Sequence, residues 1–164
     1  MGTGKWWDAL RLIICVVGCQ LAGIVGSVFT VKSISTWYDA LQKPSFTPPN
    51  WLFGPAWIML YLLMAIAAFL LWRRGLSDRQ IGLALVTFLV QLVLNALWSV
   101  IFFGLQSPFG AVIVIVGLWV AILFTIIRFF RISIAAGALL LPYILWVSFA
   151  AALNASIWLL NPQA

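Results

Sequence analysis

Between Gln80 and Ile127 no side chain carries a charge. Coiled into one helix, that run would be roughly 72 Å long at ~1.5 Å per residue, more than twice the ~30 Å core of a bilayer. It therefore has to cross twice. The stretch "GLQSPFG", Gly104 to Gly110, supplies the break with two glycines, a proline and two polar residues. Leu12 to Val31, Pro44 to Trp72 and Ile132 to Ala164 are likewise free of charge. The pattern predicts five spans, at about 10–31, 51–72, 81–104, 109–130 and 133–159. The apolar runs are continuous rather than alternating, which excludes a β-barrel, and backbone groups in hydrocarbon must bond within their own segment. The fold class predicted is an all-α integral membrane bundle, residues 1–164 forming a single transmembrane domain with a long structured first loop. Composition agrees: 65% of the 164 residues are hydrophobic, 7% are charged, and mean hydropathy is +1.17. A soluble domain needs more charged surface than this. The basic N-terminus reads as the start of the first span, because the apolar run continues to spanning length with no small-residue cleavage pattern.

The few charges serve topology. Lys5, Arg11, Arg73, Arg74, Arg79, Arg128 and Arg131 fall on the side shared by the N-terminus and the 2–3 and 4–5 connections, whereas only Lys32 and Lys43 fall on the other. That asymmetry predicts a bacterial inner-membrane protein with a cytoplasmic N-terminus. It also accounts for the formal charge of +6 without nucleic acid as a partner. Histidine is absent, and Cys15 and Cys19, one turn apart in an apolar run, read as small hydrophobes, so no metal site is expected. No ionisable residue lies well inside a span, which argues against an ion-coupled pump and leaves no acid–base pair for hydrolysis.

What the spans hold instead is indole, phenol, amide and hydroxyl. Gln91, Asn95, Trp98 and Phe102 share one face of span three; Tyr143, Trp146, Ala150, Leu153 and Asn154 form a stripe on span five, and Trp57, Tyr61, Met64 and Ala68 one on span two. Converging, the stripes would enclose a pocket for a large, flat, apolar ligand with polar edges; diverging, they would be interface anchors and interhelical hydrogen bonds. Gly18, Ala22 and Gly26, with Gly23 beside them, make a small-residue ridge on span one that permits close packing within the bundle or between protomers. The "NAS" at Asn154 lies inside a span and is not read as a glycosylation site.

The first connection is the exception among short ones. "WYDALQKPSFTPPNWLFGPAW", Trp37 to Trp57, holds four of the chain's seven prolines and three of its ten tryptophans. Proline-limited backbone suits a stiff cap over the bundle mouth, with Trp37, Pro44, Phe46, Pro48, Pro49 and Trp51 as the lid; the alternative is a segment anchoring aromatics at headgroup depth.

"WYDALQKPSFTPP", Trp57, "LNALWSVIFFG" and "PYILWVSFAAALN", in that order, resemble the TspO/MBR family, which comprises bacterial tryptophan-rich sensory proteins and the mitochondrial translocator protein, or peripheral benzodiazepine receptor. The resemblance runs from about Trp37 to Asn154. It implies a five-helix bundle, often a homodimer among membrane lipids, with a pocket beneath the first loop. It implies binding of tetrapyrroles such as protoporphyrin IX, of sterols and of benzodiazepine-type drugs, in a sensing or porphyrin-handling role that requires no cofactor. By motif position the ligand would meet Tyr38, Trp57, Asn95, Trp98 and Trp146, with Ala150 and Leu153 behind them. Two further activities stand as alternatives: light- and oxygen-dependent protoporphyrin breakdown, for which Trp57 and Trp146 would be the catalytic groups, and passive translocation. Phe46 stands where many members have tryptophan. "LNASIWLLNPQA" lacks the Tyr-plus-basic ending of the cholesterol-recognition pattern, which favours tetrapyrroles over dedicated cholesterol transport.

Overall fold

A computed structural model describes residues 3–162. All of its regular elements are helical: α1 (Thr3–Ile34), α2 (Trp37–Ala40), α3 (Asn50–Trp72), α4 (Arg79–Ser99, continued by a π-helical turn at Val100–Gly104), α5 (Pro108–Ile132), α6 (Ile134–Ala138) and α7 (Leu141–Leu160). Five stretches are long and apolar enough to cross a membrane, with α6 and α7 together making the fifth.

The spans fall where hydropathy predicts, and their ends are set by local chemistry. The first helix starts well before residue 10, because Asp8 and Arg11 pair one turn apart at 3.2 Å and stabilise a turn that lies outside the apolar run. Asp78 opens α4 by accepting the Gln80 N–H, and Ser107 opens α5 by accepting that of Gly110. Ser133 alone separates α5 from α6: its backbone is extended, and its hydroxyl accepts the Ala136 N–H. The fifth span is broken near its start, where Pro142 sits in the first turn of α7 and cannot continue a helix from α6.

Packing arranges the spans in a closed ring. α1 lies against α3 and α4, α4 against α5, α5 against α7, and α6 closes back on α3. The half of the bundle near the 2–3 and 4–5 connections is solid. Met64, Ala65, Ala68, Leu71, Ala84, Ile122 and Phe129 are buried there, and Phe88 stacks on Phe129 with centroids 5.9 Å apart. Alanine on α3 lets the backbones approach closely.

One local expectation needs correction. Trp51 is not part of a loop: it lies in the first turn of α3 and is 72% exposed, because Pro49 already sets the helix N-cap. The connection proper is therefore shorter than Trp37–Trp57, with α2 at its start and irregular backbone only from Leu41 to Pro49. In the Gly104–Gly110 turn the left-handed residue is Gln106, at φ 52°, rather than either glycine. Gly104 closes the π turn instead, where a Cβ would stand 2.8 Å from the Phe29 ring.

Candidate functional site

At the end of the bundle that carries the first connection, the helices leave a hollow between them. A cavity of about 480 Å³ lies there. It is bounded by α1 from Gln20 to Ile34, Tyr38 of α2, the first three turns of α3, the end of α4 and the last turns of α7. The aromatic stripes of spans two, three and five do converge on this end. Trp57 stands 6.5 Å from Trp98, 5.6 Å from Tyr61, 6.4 Å from Tyr143 and 6.5 Å from Trp146, centroid to centroid. Trp98 in turn stacks on Phe102 at 5.6 Å.

The π turn governs the far wall. Leu105 N–H donates to Val100 O, five residues back, which opens the helix by one residue and lets the adjacent Phe102 and Phe103 both face the cavity. Tyr38 packs against the two rings at 6.2 and 5.8 Å, and Trp37 meets Phe102 edge-on at 5.5 Å.

Most polar groups near the cavity are spent within the protein. Trp98 Nε1–H donates to Asn154 Oδ1 at 3.1 Å, and Asn154 Nδ2 donates to Pro108 O at 3.0 Å, so the "NAS" asparagine orients a cavity indole from inside α7. Below the cavity runs a chain of hydrogen bonds. Tyr61 donates to Asn95 Oδ1, Asn95 Nδ2 donates to Tyr143 Oη at 3.0 Å, and Tyr143 donates to Gln91 Oε1 at 2.8 Å. These bonds tie α3, α4 and α7 together near the middle of apolar spans, where unpaired polar groups are costly. Tyr38 differs. Its hydroxyl is the one buried side-chain polar atom, among the described residues, without a hydrogen-bond partner. Burial, reinforced by Asp39 next to it, pushes its pKa up to about 12, so it remains a donor at any physiological pH.

Of the ligand-contact residues implied by the resemblance, Tyr38, Trp57, Trp98, Ala150 and Leu153 line the cavity. Asn95 does not: it is 1% exposed and both ends of its amide are engaged in the network underneath. Trp146 stands one ring behind Trp57, between Phe53 at 6.2 Å and Phe149 at 5.7 Å. Among the lid residues, only Trp51 reaches the cavity. Pro44, Pro48 and Pro49 belong to a segment pinned sideways onto α7. There Phe46 meets Phe149 at 6.2 Å, and Asn161 exchanges hydrogen bonds with the backbone of Gln42, at 3.0 Å from its N–H and 2.9 Å to its carbonyl.

Stripe reasoning missed a whole wall. α1 contributes Gly23, Gly26, Ser27 and Thr30 among its lining residues, although its small residues read only as a packing ridge. A Cβ on Gly23 would stand 2.5 Å from the Tyr61 ring, so this glycine seats that ring at the cavity floor. Small residues on an apolar helix were the available signal; a facing aromatic could not be inferred from them.

The sequence model of the TspO/MBR family matches residues 15–159 of this chain. The chain is 45% identical over 155 residues to the tryptophan-rich protein TspO of Archaeoglobus fulgidus, covering 94% of this chain and 99% of that one. It is 42% identical over 146 residues to the protein CrtK of Rhodobacter capsulatus, covering 89% of each. To the human translocator protein it is 34% identical over 141 residues, covering 85% and 83%.

Proposed function

The chain belongs to the TspO/MBR family, and on that premise we propose that it is a membrane sensor or binding protein for tetrapyrroles such as protoporphyrin IX. One observation carries the reading: an apolar cavity of about 480 Å³ walled by aromatic rings, with Tyr38, whose buried hydroxyl has no partner, among its lining residues. Sites for small ligands are of this kind, about 300–1,000 Å³ and mostly apolar, with a few polar groups that fix orientation. Trp57, Trp98 and Phe102 offer flat faces to a macrocycle, and a small rotation of Tyr38 would let its buried, unpartnered hydroxyl donate to a peripheral carboxylate or carbonyl. The groups that hold the walls, Asn154 beneath Trp98 and Gly23 beneath Tyr61, are already satisfied, so binding would require little reordering.

Titration of the purified protein with protoporphyrin IX, followed through the porphyrin absorption band, tests this. Saturable binding is expected, weakened about fivefold in Tyr38→Phe by loss of one hydrogen bond. Unsaturable partitioning, equal to that into empty micelles, would remove the reading.

The contiguous rings give a secondary reading some support. Trp57 touches the cavity and stands 6.5 Å from Trp146, so an electron lost from Trp57 to the light-excited porphyrin, and passed on by it to oxygen, could be replaced from the second indole. Under illumination with oxygen, bound protoporphyrin would then disappear faster than in matched micelles, and Trp57→Phe would slow its loss more than Trp146→Phe. Equal rates with and without protein would leave binding alone.

A further inference from the structure

The opposite end of the bundle holds a second concavity, a cleft of about 540 Å³ lined by Arg74, Asp78, Gln80, Ile81, Arg128, Arg131 and Ile132. Its cations come from two distant parts of the chain, the end of α3 and the last two turns of α5. Topology alone requires basic residues near a membrane face; it does not require them to meet around one hollow. The meeting is built: a guanidinium N–H of Arg74 donates to the Ile132 carbonyl, which fastens the 2–3 connection to the end of α5. Asp78, the only carboxylate in the cleft, accepts the Gln80 N–H at 2.8 Å as the α4 N-cap. Among the described residues, ion pairs join only Arg11 to Asp8 and Lys43 to Asp39, so the three cleft arginines have none.

Like charges gathered in one concavity repel each other, and a bound anion reverses the sign of that energy. We propose that the cleft binds a phosphate group. Guanidinium forks match phosphate oxygens two at a time, and Arg128 and Arg131, three residues apart on α5, lie on one helix face and can grip from the same side. The floor is apolar, with Ile81 buried and Ile132 half-buried, and the cleft lies at the ends of spanning helices. Both features suit the phosphodiester of an anionic lipid headgroup, and a free phosphate compound offers the same chemistry.

The experiment takes the whole protein in neutral detergent at fixed ionic strength. Phosphatidylglycerol, phosphatidylcholine and inorganic phosphate are titrated separately, and the midpoint of thermal unfolding is followed. A saturable rise with phosphatidylglycerol, and none with phosphatidylcholine, whose own cation the arginines repel, identifies a lipid headgroup. An equal rise with inorganic phosphate identifies the free anion. R128Q combined with R131Q weakens the apparent affinity about tenfold, whereas K5Q combined with K32Q, the same loss of charge elsewhere, leaves it unchanged. Arg131 is exposed and holds no other element, so R131Q alone covers the case in which the double variant does not fold; about threefold weakening is expected of it. Unchanged affinity in the arginine variants, an equal drop in the lysine variant, or no saturable response to either anion would overturn the proposal.

Discussion

Tyr61 divides α3 into two helices of different purpose. Toward the first connection, α3 presents Phe53, Gly54 and Trp57 to a hollow; away from it, Met64, Ala65, Ala68 and Leu71 are at most 4% exposed and pack without one. Both halves are apolar, so hydropathy alone does not tell them apart. The difference is shape. Alanine allows backbones to close up, whereas broad rings held edge-on by neighbours, and by Asn154 beneath Trp98, keep them apart. The hydrogen-bonded chain from Tyr61 to Gln91 lies at the join, where it binds the helices that diverge above it.

Substitutions can break this comparison, and the solid half should be the more costly to disturb. Met64→Ala opens a void among fully buried neighbours and is expected to cost about 3 kcal/mol of stability; denaturant unfolding in detergent measures it, and porphyrin affinity should be retained. Asn95→Leu strikes the join. It leaves the Tyr61 and Tyr143 hydroxyls short of a partner, for a loss of about 2 kcal/mol in the same assay. Gly23→Ala pushes into the Tyr61 ring from the α1 side, at about 1 kcal/mol. Unlike Met64→Ala, it should weaken ligand binding as well, because it moves the cavity floor.

The smallest effect concerns pH. Tyr38 holds its proton to about pH 12 in the folded protein, against about 10 for an unfolded tyrosine. Between those values the native state binds more protons than the unfolded one. Stability from this residue is therefore unchanged below pH 10 and falls as pH rises from 10 toward 12. Porphyrin affinity should be flat from pH 7 to 9.5, and Tyr38→Phe should remove its share of the alkaline fall in stability. A Tyr38-dependent drop in affinity centred near pH 10, where an exposed tyrosine titrates, would mean that the hydroxyl is not buried.

The spans were legible because a charge-free run longer than a bilayer has few alternatives. Their exact ends were not, since Asp8 with Arg11 and the serine caps act at the level of one turn. Helical spacing put Trp57, Trp98 and Ala150 on faces that meet, but it could not separate a residue lining a hollow from one beneath it. Asn95 and Trp98 lie three apart on one face of α4, yet the first is consumed by two tyrosines and the second faces the cavity. The π turn that brings in Phe103 has no mark in "VIFFG", because it depends on how the chain exits toward Gln106. Proline content located the first connection, but not its sideways seat against Asn161 and Phe149.

The central claim is that the hollow half of α3 is where the tetrapyrrole binds. Gly54 lines that hollow, and a Cβ there would meet nothing within 4 Å, so Gly54→Trp fills the space at little cost to the fold. The decisive measurement is the protoporphyrin IX dissociation constant of Gly54→Trp beside that of the unsubstituted protein, with unfolding midpoints taken in parallel. At least about tenfold weaker binding with an unchanged midpoint is the result expected from the loss of shape complementarity; equal affinity in the two proteins would contradict the claim.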